Sequence, residues 1–466
     1  MRKRPRRGAV RGAPCHMGWP LSKRVAMTSA APRPATFAAS RPLRGTASLP
    51  GDKSISHRAL ILAAMARGRS RIEGLSEGAD VAATAAALRA MGVSIERTGS
   101  LWEVDGVGSG GLLQPLGALE MGNSGTSARL LMGLLASHPV TATFTGDASL
   151  SRRPMERVMA PLRRLGAEFA AAPGGRLPLT LRGLCPAAPL THRMTVASAQ
   201  VKSALLLAGL NIPGTTRVIE RVRTRDHSER MLKGFGAQIA VEMDGEDEVI
   251  SLAGESELRP QRVTVPGDPS AAAFLAVAAL VVPGSAVRIE NVGINPTRSG
   301  LWEILREMGA DLRLSNPREQ GGEPVADIDV RHSPLRGVDV PPELAPSMID
   351  EFPIFFVAAA FAEGDSRTSG LEELRVKESD RLAAMAAGLA AVGVPVEERA
   401  DGLVVAGSGG EPLAGGATVA ACLDHRIAMS FAVAGLHARA PISVDDMCPV
   451  ATSYPDFEAV LEALAR

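Results

Sequence analysis

LRAMG at residues 88–92 returns along the chain as LRRLG at 162–166, LKGFG at 232–236, LREMG at 305–309 and LAAVG at 389–393. The closing glycines stand 74, 70, 73 and 84 residues apart, and LEALAR at the C-terminus is an incomplete sixth copy. Each reads as the last turn of an amphipathic helix closed by glycine. A short alternating strand follows each of the five, as in VSIERTGSLWEV and VPVEERADGLVVAG. Ahead of each copy comes a second helix that is apolar nearly all round and therefore buried, such as ARLLMGLLASH, VKSALLLAGL or RIAMSFAVAGLHA. The chain thus predicts six α/β units of roughly 70 residues, a period too long for the common solenoids and suited to two domains of three units each. The competing reading is ordinary α/β alternation with coincidental endings.

The junctions that enter the buried helices carry the chemistry. They read GDKSISHR, GNSGTSAR, ASAQVKS, PGDPSAA, MIDEFP and DHRIAMS; all are small and polar, and four carry Arg or Lys. GDKS and GDPS hold equivalent places in the first and fourth units, where a second domain would begin. Each helix N-terminus presents free N–H groups and about half a positive charge, worth about 0.3–1 kcal/mol to an exposed anion. In LPGDKSISHR, at 49–58, Lys53 and Arg58 add two full charges, so this turn suits an anion. Its alternative reading is a helix capped by Asp52 or Ser54 with two solvated cations. If three helix N-termini per domain face the other domain, the cleft between them suits a small, multiply charged anion.

Length and composition set the frame. At 466 residues, 45% apolar and 22% charged, the chain is ordinary for a soluble protein of two domains. Aromatics are only 3%, so packing falls to Ala, Leu, Val and Ile. No apolar run reaches membrane-spanning length; FLAVAALVV at 274–282 breaks at Pro283. The net charge of +1 hides eleven Lys/Arg and no acid in residues 1–51. Residues 1–38 are expected to be a disordered basic leader outside the fold, or the product of a start placed ahead of Met17 or Met27; nucleic-acid binding is the weaker reading. Four scattered cysteines without a C-x-x-C pair indicate a reducing compartment and no structural zinc. Walker A spacing is absent, as is a G-x-S-x-G elbow, which disfavours an ATPase or a serine hydrolase.

LPGDKSISHRAL, GNSGTSARLLMG, GDASLSRRPMERV, SAQVKSALLLAGL, LRVKESDRL and DHRIAMSFAV resemble, in order and from about residue 40 to the C-terminus, the successive signatures of the 5-enolpyruvylshikimate-3-phosphate synthase family. AQVKSALLLAGL and TRDHSERML are similar to its class II bacterial form. The resemblance implies an inside-out α/β barrel-like fold of two domains, each of three βαβαββ units, at 52–265 and at 39–51 with 266–466, closing on substrate like a hinge. It implies transfer of the enolpyruvyl group of phosphoenolpyruvate to the 5-hydroxyl of 3-phosphoshikimate with release of phosphate, by a cytoplasmic monomer. No cofactor, metal, membrane or nucleic-acid partner is implied.

By the same resemblance Lys53, Ser54, Arg58, Ser198, Ala199, Gln200, Arg225, Asp350 and Lys377 would contact 3-phosphoshikimate. Lys53, Gly125, Arg153, Gln200, Arg381 and Arg426 would contact phosphoenolpyruvate, with Asn123 supporting the Gly125 loop. Asp350 would accept the hydroxyl proton and Glu378 would donate one, with Lys53 the third catalytic group. Gly125 would leave room for glyphosate, a known inhibitor of the family, while Leu130 and Thr452 weigh toward tolerance of it. Ala199, Glu373 and Thr452 depart from the commoner pattern of serine, asparagine and lysine, and Thr452 carries no assigned role. Arg129 and Lys202 sit on the same helices as mapped residues and are open candidates; Arg152, Arg157 and Arg223 are weaker ones. His57, His227 and His425 are expected to hydrogen-bond within the junctions. Rival readings are the enolpyruvyl transferase acting on UDP-N-acetylglucosamine, whose loop cysteine has no counterpart here, and a non-catalytic anion binder, which would gain nothing from Asp350 and Glu378.

Overall fold

Small side chains and five polar caps explain the six buried helices, which run Lys53–Met65, Gly125–Ala136, Ala199–Gly209, Pro269–Val281, Phe352–Phe361 and His425–Gly435. Asp52, Ser124, Ser198, Asp268 and Asp424 each accept a backbone N–H from the first turn, as Asp52 Oδ1 does from Ile55 at 2.8 Å. Each such cap is worth about 1 kcal/mol. Gly133 lets the second and third of these helices touch backbone to backbone; a Cβ there would lie 2.2 Å from the Ala204 carbonyl oxygen. The computed structural model describes residues 31–466.

The predicted amphipathic helices follow at Ala79–Ala90, Glu156–Arg163, His227–Gly234, Gly300–Glu307 and Arg381–Ala391. Their closing glycines all take positive φ, from 88° at Gly393 to 108° at Gly166, the left-handed turn that ends a helix cheaply only with glycine. The incomplete sixth copy lies in the helix Phe457–Leu464 and closes without one.

Strand pairing repeats as faithfully. Arg67–Glu73 lies parallel to Arg262–Thr264 and antiparallel to Leu101–Val107, which pairs with Ser94–Thr98. The same four-strand order recurs around Thr141–Thr145, Thr215–Glu220 and Ala286–Gly293. The first strand of the opening sheet thus comes from residues 262–264, and that of the fourth unit from Arg44–Ala47. Two crossings make this exchange, and they pair with each other: Asp52 N–H donates to Pro266 O at 2.7 Å and Asp268 N–H to Pro50 O at 3.0 Å.

Two hydrophobic cores result. One gathers buried residues from Ile55 to Val265; the other takes Leu43, Ala47 and residues from Ala271 to Leu464. Residues 32–466 nevertheless form one compact unit. Among the described residues no single helix is long and apolar enough to cross a membrane.

In the first five units a hairpin strand pairs antiparallel with the strand that follows the buried helix. Ala35–Phe37 fills that place in the sixth, antiparallel to Ile442–Val444, with Phe37 against Gly435 and Arg33 ion-paired to Glu458. This corrects the expectation that residues 1–38 stand outside the fold: three residues are too short to show a period, and only the sixth unit's need for a partner strand reveals them. The rest of the expected leader, residues 1–30, lies outside the described residues. A chain starting at Ala38 should melt below one starting at Ala31, by about 1 °C for each kcal/mol of lost pairing in a unit of this size, as read by calorimetry. Coincident transitions would mean that the edge strand adds nothing.

Candidate active site

The N-termini of the buried helices open on one cavity of about 490 Å³. Its wall contains Lys53, Ser54 and Arg58 from the first helix, Gly125 from the second, and Ser198, Ala199 and Gln200 at the third. Arg153, Arg225, Asp350, Lys377, Glu378, Arg381 and Arg426 complete the set expected from sequence. All fourteen meet in this one place.

The two carboxylates sit among cations. Asp350 is 2.6 Å from Arg225, 3.2 Å from Arg381 and 3.4 Å from Lys377, and its backbone carbonyl accepts from Arg426 at 2.7 Å. Burial pushes the Asp350 carboxyl up, but Lys377, Arg225, Arg426 and Arg381 outweigh it and hold it well below the usual range. Glu378 lies 2.5 Å from Arg381 and 3.4 Å from Arg153. Burial again acts upward, and Arg381, Arg153, His425 and Lys53 prevail, so Glu378 is also held well below its ordinary value. Arg381 itself is anchored from behind by Asp424 at 2.8 Å, the cap of the sixth buried helix.

Several of these pairs cross between the two cores: Arg225–Asp350, Arg153–Glu378 and Arg157–Glu373, the last at 2.7 Å. Ser149 Oγ adds a hydrogen bond to the Glu378 carbonyl at 2.9 Å. Near the paired crossings Arg298, 3% exposed, faces Asp52 at 3.4 Å, Glu351 at 3.5 Å and Asp268 at 3.7 Å, and donates to Ser270 Oγ at 2.8 Å.

The open candidates separate cleanly. Arg129 and Arg157 line the cavity, whereas Arg152 and Arg223 do not. Lys202 does not either: it is fully buried behind the wall, 2.8 Å from Glu220 and 2.6 Å from Glu229. Glu220 also accepts from the Thr224 amide and hydroxyl, so this cluster braces the loop that delivers Arg225. His57 and His227 are bound at 2.7 Å to Thr84 Oγ1 on the helix Ala79–Ala90 and to Glu323 Oε1 on the strand Glu323–Arg331, outside the junctions where their partners were expected; His425 reaches the cavity. Asn123 accepts from Arg153 and donates to Asp147 at 2.6 Å.

Gly125 has a tighter constraint than open space for a ligand. A Cβ there would lie 2.6 Å from Arg129 Nη1 and 3.0 Å from Arg153 Nη1, so two guanidinium tips already fill the room a side chain would take. Sequence reasoning missed Asp80, Thr224, Asp268, Ser270 and Arg298 in the wall. Asp268 and Ser270 belong to the GDPS junction, and its equivalence to GDKS was the signal for them. Asp80 and Arg298 lie outside the junctions and gave none.

A family profile described as EPSP synthase (3-phosphoshikimate 1-carboxyvinyltransferase) matches residues 37–461. The chain belongs to that family. Among its relatives, a 3-phosphoshikimate 1-carboxyvinyltransferase of Sphingopyxis alaskensis is 63% identical over 446 residues, covering 94% of this chain and all of that one. One from Zymomonas mobilis is 60% identical, over 91% of this chain and 94% of that one. Among solved structures, EPSP synthase from Acinetobacter baumannii superposes with a TM-score of 0.81 at 44% identity, covering 92% of this chain and 98% of that one. The enolpyruvyl transferase NikO from Streptomyces tendae, at 20% identity and a TM-score of 0.73, covers 93% and 98% and shows the shared fold alone.

Lys202→Met should destabilise the protein by about 3–5 kcal/mol in denaturant unfolding, because it leaves two buried glutamates without their cation. A loss under about 1 kcal/mol would show that Glu220 and Glu229 do not depend on it.

Proposed function

We infer that this cavity carries out the family's reaction, joining phosphoenolpyruvate to the 5-hydroxyl of 3-phosphoshikimate in the shikimate route to aromatic amino acids. The observation that carries the reading is the pairing of two partly buried carboxylates with a surplus of cations in one cavity. A pure anion binder has no use for Asp350 and Glu378, which compete with its ligand for the same guanidinium groups.

The chemistry needs a base at the acceptor hydroxyl and an acid at the alkene. Asp350, ionised and ringed by Arg225, Lys377 and Arg381, takes the 5-hydroxyl proton as that oxygen bonds to the central carbon of phosphoenolpyruvate. Glu378 supplies a proton to the methylene carbon, giving a tetrahedral intermediate. In the elimination that follows, the Glu378 carboxylate takes back a methyl proton while the C–O bond to phosphate breaks and the phosphate leaves with the proton held by Asp350, restoring the alkene and both carboxyl groups. Lys53, 3.2 Å from Asp80, stands beside both anions as the third catalytic group. Ser54, Arg58, Ser198, Ala199, Gln200, Arg225 and Lys377 hold 3-phosphoshikimate, and Gly125, Arg153, Gln200, Arg381 and Arg426 hold phosphoenolpyruvate. Arginine suits this task, since its fork matches carboxylate and phosphate at two points.

Glu378 raises a difficulty that binding resolves. Without ligand, Arg381 and Arg153 keep it ionised, and an ionised carboxylate cannot protonate carbon. When substrate anions engage those guanidinium groups, the stabilisation of the charged carboxylate falls and its pKa rises. The acid is therefore created by the substrate it protonates. The two halves act as domains joined at the paired crossings, and 3-phosphoshikimate draws them together. Phosphorylated substrates and the free cysteines Cys185 and Cys422 suit the cytoplasm.

The test is phosphate release with phosphoenolpyruvate and either 3-phosphoshikimate or UDP-N-acetylglucosamine, run side by side; turnover with the sugar nucleotide alone would overturn the reading. Asp350→Asn and Glu378→Gln should bind both substrates yet slow turnover about 10²–10⁴-fold. Saturated turnover should fall as pH rises through the Glu378 value of the complex, and that value should exceed the free enzyme's. Gly125→Ala should fold normally, because flexible guanidinium tips can shift, while raising the KM for phosphoenolpyruvate and weakening glyphosate. Unchanged constants would show that Arg129 and Arg153 do not need their present positions.

A further inference from the structure

Most cations in the cavity wall have a carboxylate partner. Lys53 has Asp80; Arg153, Arg157, Arg225, Arg298, Lys377, Arg381 and Arg426 each have at least one acid in ion-pair contact. Among the described residues two have none, Arg58 and Arg129. Arg58 is held by Ser228 and Ser203 hydroxyls and belongs to the expected 3-phosphoshikimate contacts. Arg129 has no place in that scheme.

Its surroundings make the charge expensive. Arg129 is 4% exposed, and its Nη1 donates only to neutral oxygens, Gln200 Oε1 at 2.9 Å and the Gly125 carbonyl at 3.4 Å. Its buried Nε has no hydrogen-bond partner. The nearest charges are unhelpful: Arg153 and Arg157 repel it, and Glu378 and Glu373 attract it only from beyond ion-pair distance. Burial and those two arginines push the guanidinium down to about 9. It also sits in the opening turns of the helix Gly125–Ala136, where the dipole disfavours a cation. Hydrogen bonds to neutral groups do not offset a buried charge, so this arrangement costs stability in the empty protein. Gln200 fixes the group nonetheless, steadied in turn by its own bond to Thr126 Oγ1 at 2.9 Å.

We propose that Arg129 is a further substrate-binding residue, whose unpaired guanidinium, together with Arg153 and the N-terminus of the Gly125–Ala136 helix, receives the phosphate group of phosphoenolpyruvate. This rests on the enolpyruvyl-transfer reading above. The phosphate is favoured over the carboxylate because it carries more charge and more acceptor oxygens, which two guanidinium forks and a helix N-terminus match. Unlike its neighbours, Arg129 gives up no carboxylate when the anion arrives.

The reaction run backward isolates this subsite, because inorganic phosphate is then a substrate by itself. Arg129→Met and Arg129→Lys are compared with the unaltered protein in both directions. Arg129→Met should raise the KM for phosphate in reverse and for phosphoenolpyruvate forward by about ten- to a hundredfold, the scale of one lost charge-assisted hydrogen bond, with the KM for 3-phosphoshikimate within about twofold. Arg129→Lys should recover part of the loss. The ligand-free Arg129→Met protein should melt no lower than the unaltered one, since it sheds an uncompensated buried charge. A lower melting temperature with unchanged KM values would make Arg129 a packing residue and overturn the proposal, as would equal rises in all three constants. Failure of the unaltered protein to turn over in either direction would instead strike the functional reading.

Discussion

Ten Arg and Lys side chains share the cavity wall with six Asp and Glu, and this surplus of positive charge is the constraint on which the rest of the structure depends. Cations placed so close would repel one another and, if desolvated without partners, would cost several kcal/mol each. The carboxylates answer most of that cost. Asp350 serves three cations, and Asp424 fixes Arg381 from behind while capping a helix. Arg298 shows the converse arrangement, one guanidinium balancing three acids where the chain crosses between the cores. The cavity is a set of ion pairs with an excess left for an anion.

The repeat explains how so much charge comes together. Each unit buries one helix whole, which forces its polar N-terminal junction toward the only place where polar groups remain useful. The crossings at 50–52 and 266–268 then bring the caps Asp52 and Asp268 face to face beneath that cavity. Lys53 and Arg426 inherit their positions from the helices they begin, not from separate loops. Precision in the site is thus a property of helix packing, in which Gly133 and Ala204 leave no slack.

Legibility in the sequence followed the same logic. The closing glycines, the buried helices and the junction residues obey a local rule, whether a period, a cap or a turn, and such rules survive in a bare string of residues. Ala35–Phe37 follows none: a three-residue strand makes sense only beside Ile442–Val444, four hundred positions away. Lys202 misled for a related reason. Its helix faces the cavity at one end, but the lysine points away from it, toward Glu220 and Glu229, which come from later elements of the third unit. Whether a cation is paired is a fact of tertiary contact, so neither Arg298 as a hub nor Arg129 as a solitary charge could be read from the residues alone.

That difference between paired and unpaired cations bears on catalysis. A guanidinium already bound to a carboxylate exchanges one anion for another when substrate arrives, so its net contribution to ground-state affinity is modest. In the mechanism proposed above, the displaced carboxylates, Asp350 and Glu378, are the groups that act as base and acid. Binding energy from the arginines is in this way converted into a change in carboxylate protonation instead of a deeper ground-state well, as catalysis requires. Arg58 and Arg129, with no carboxylate to release, are free to supply affinity outright. On that proposal the cavity divides its labour by pairing: unpaired cations draw the anions in, and paired ones hand over the proton chemistry.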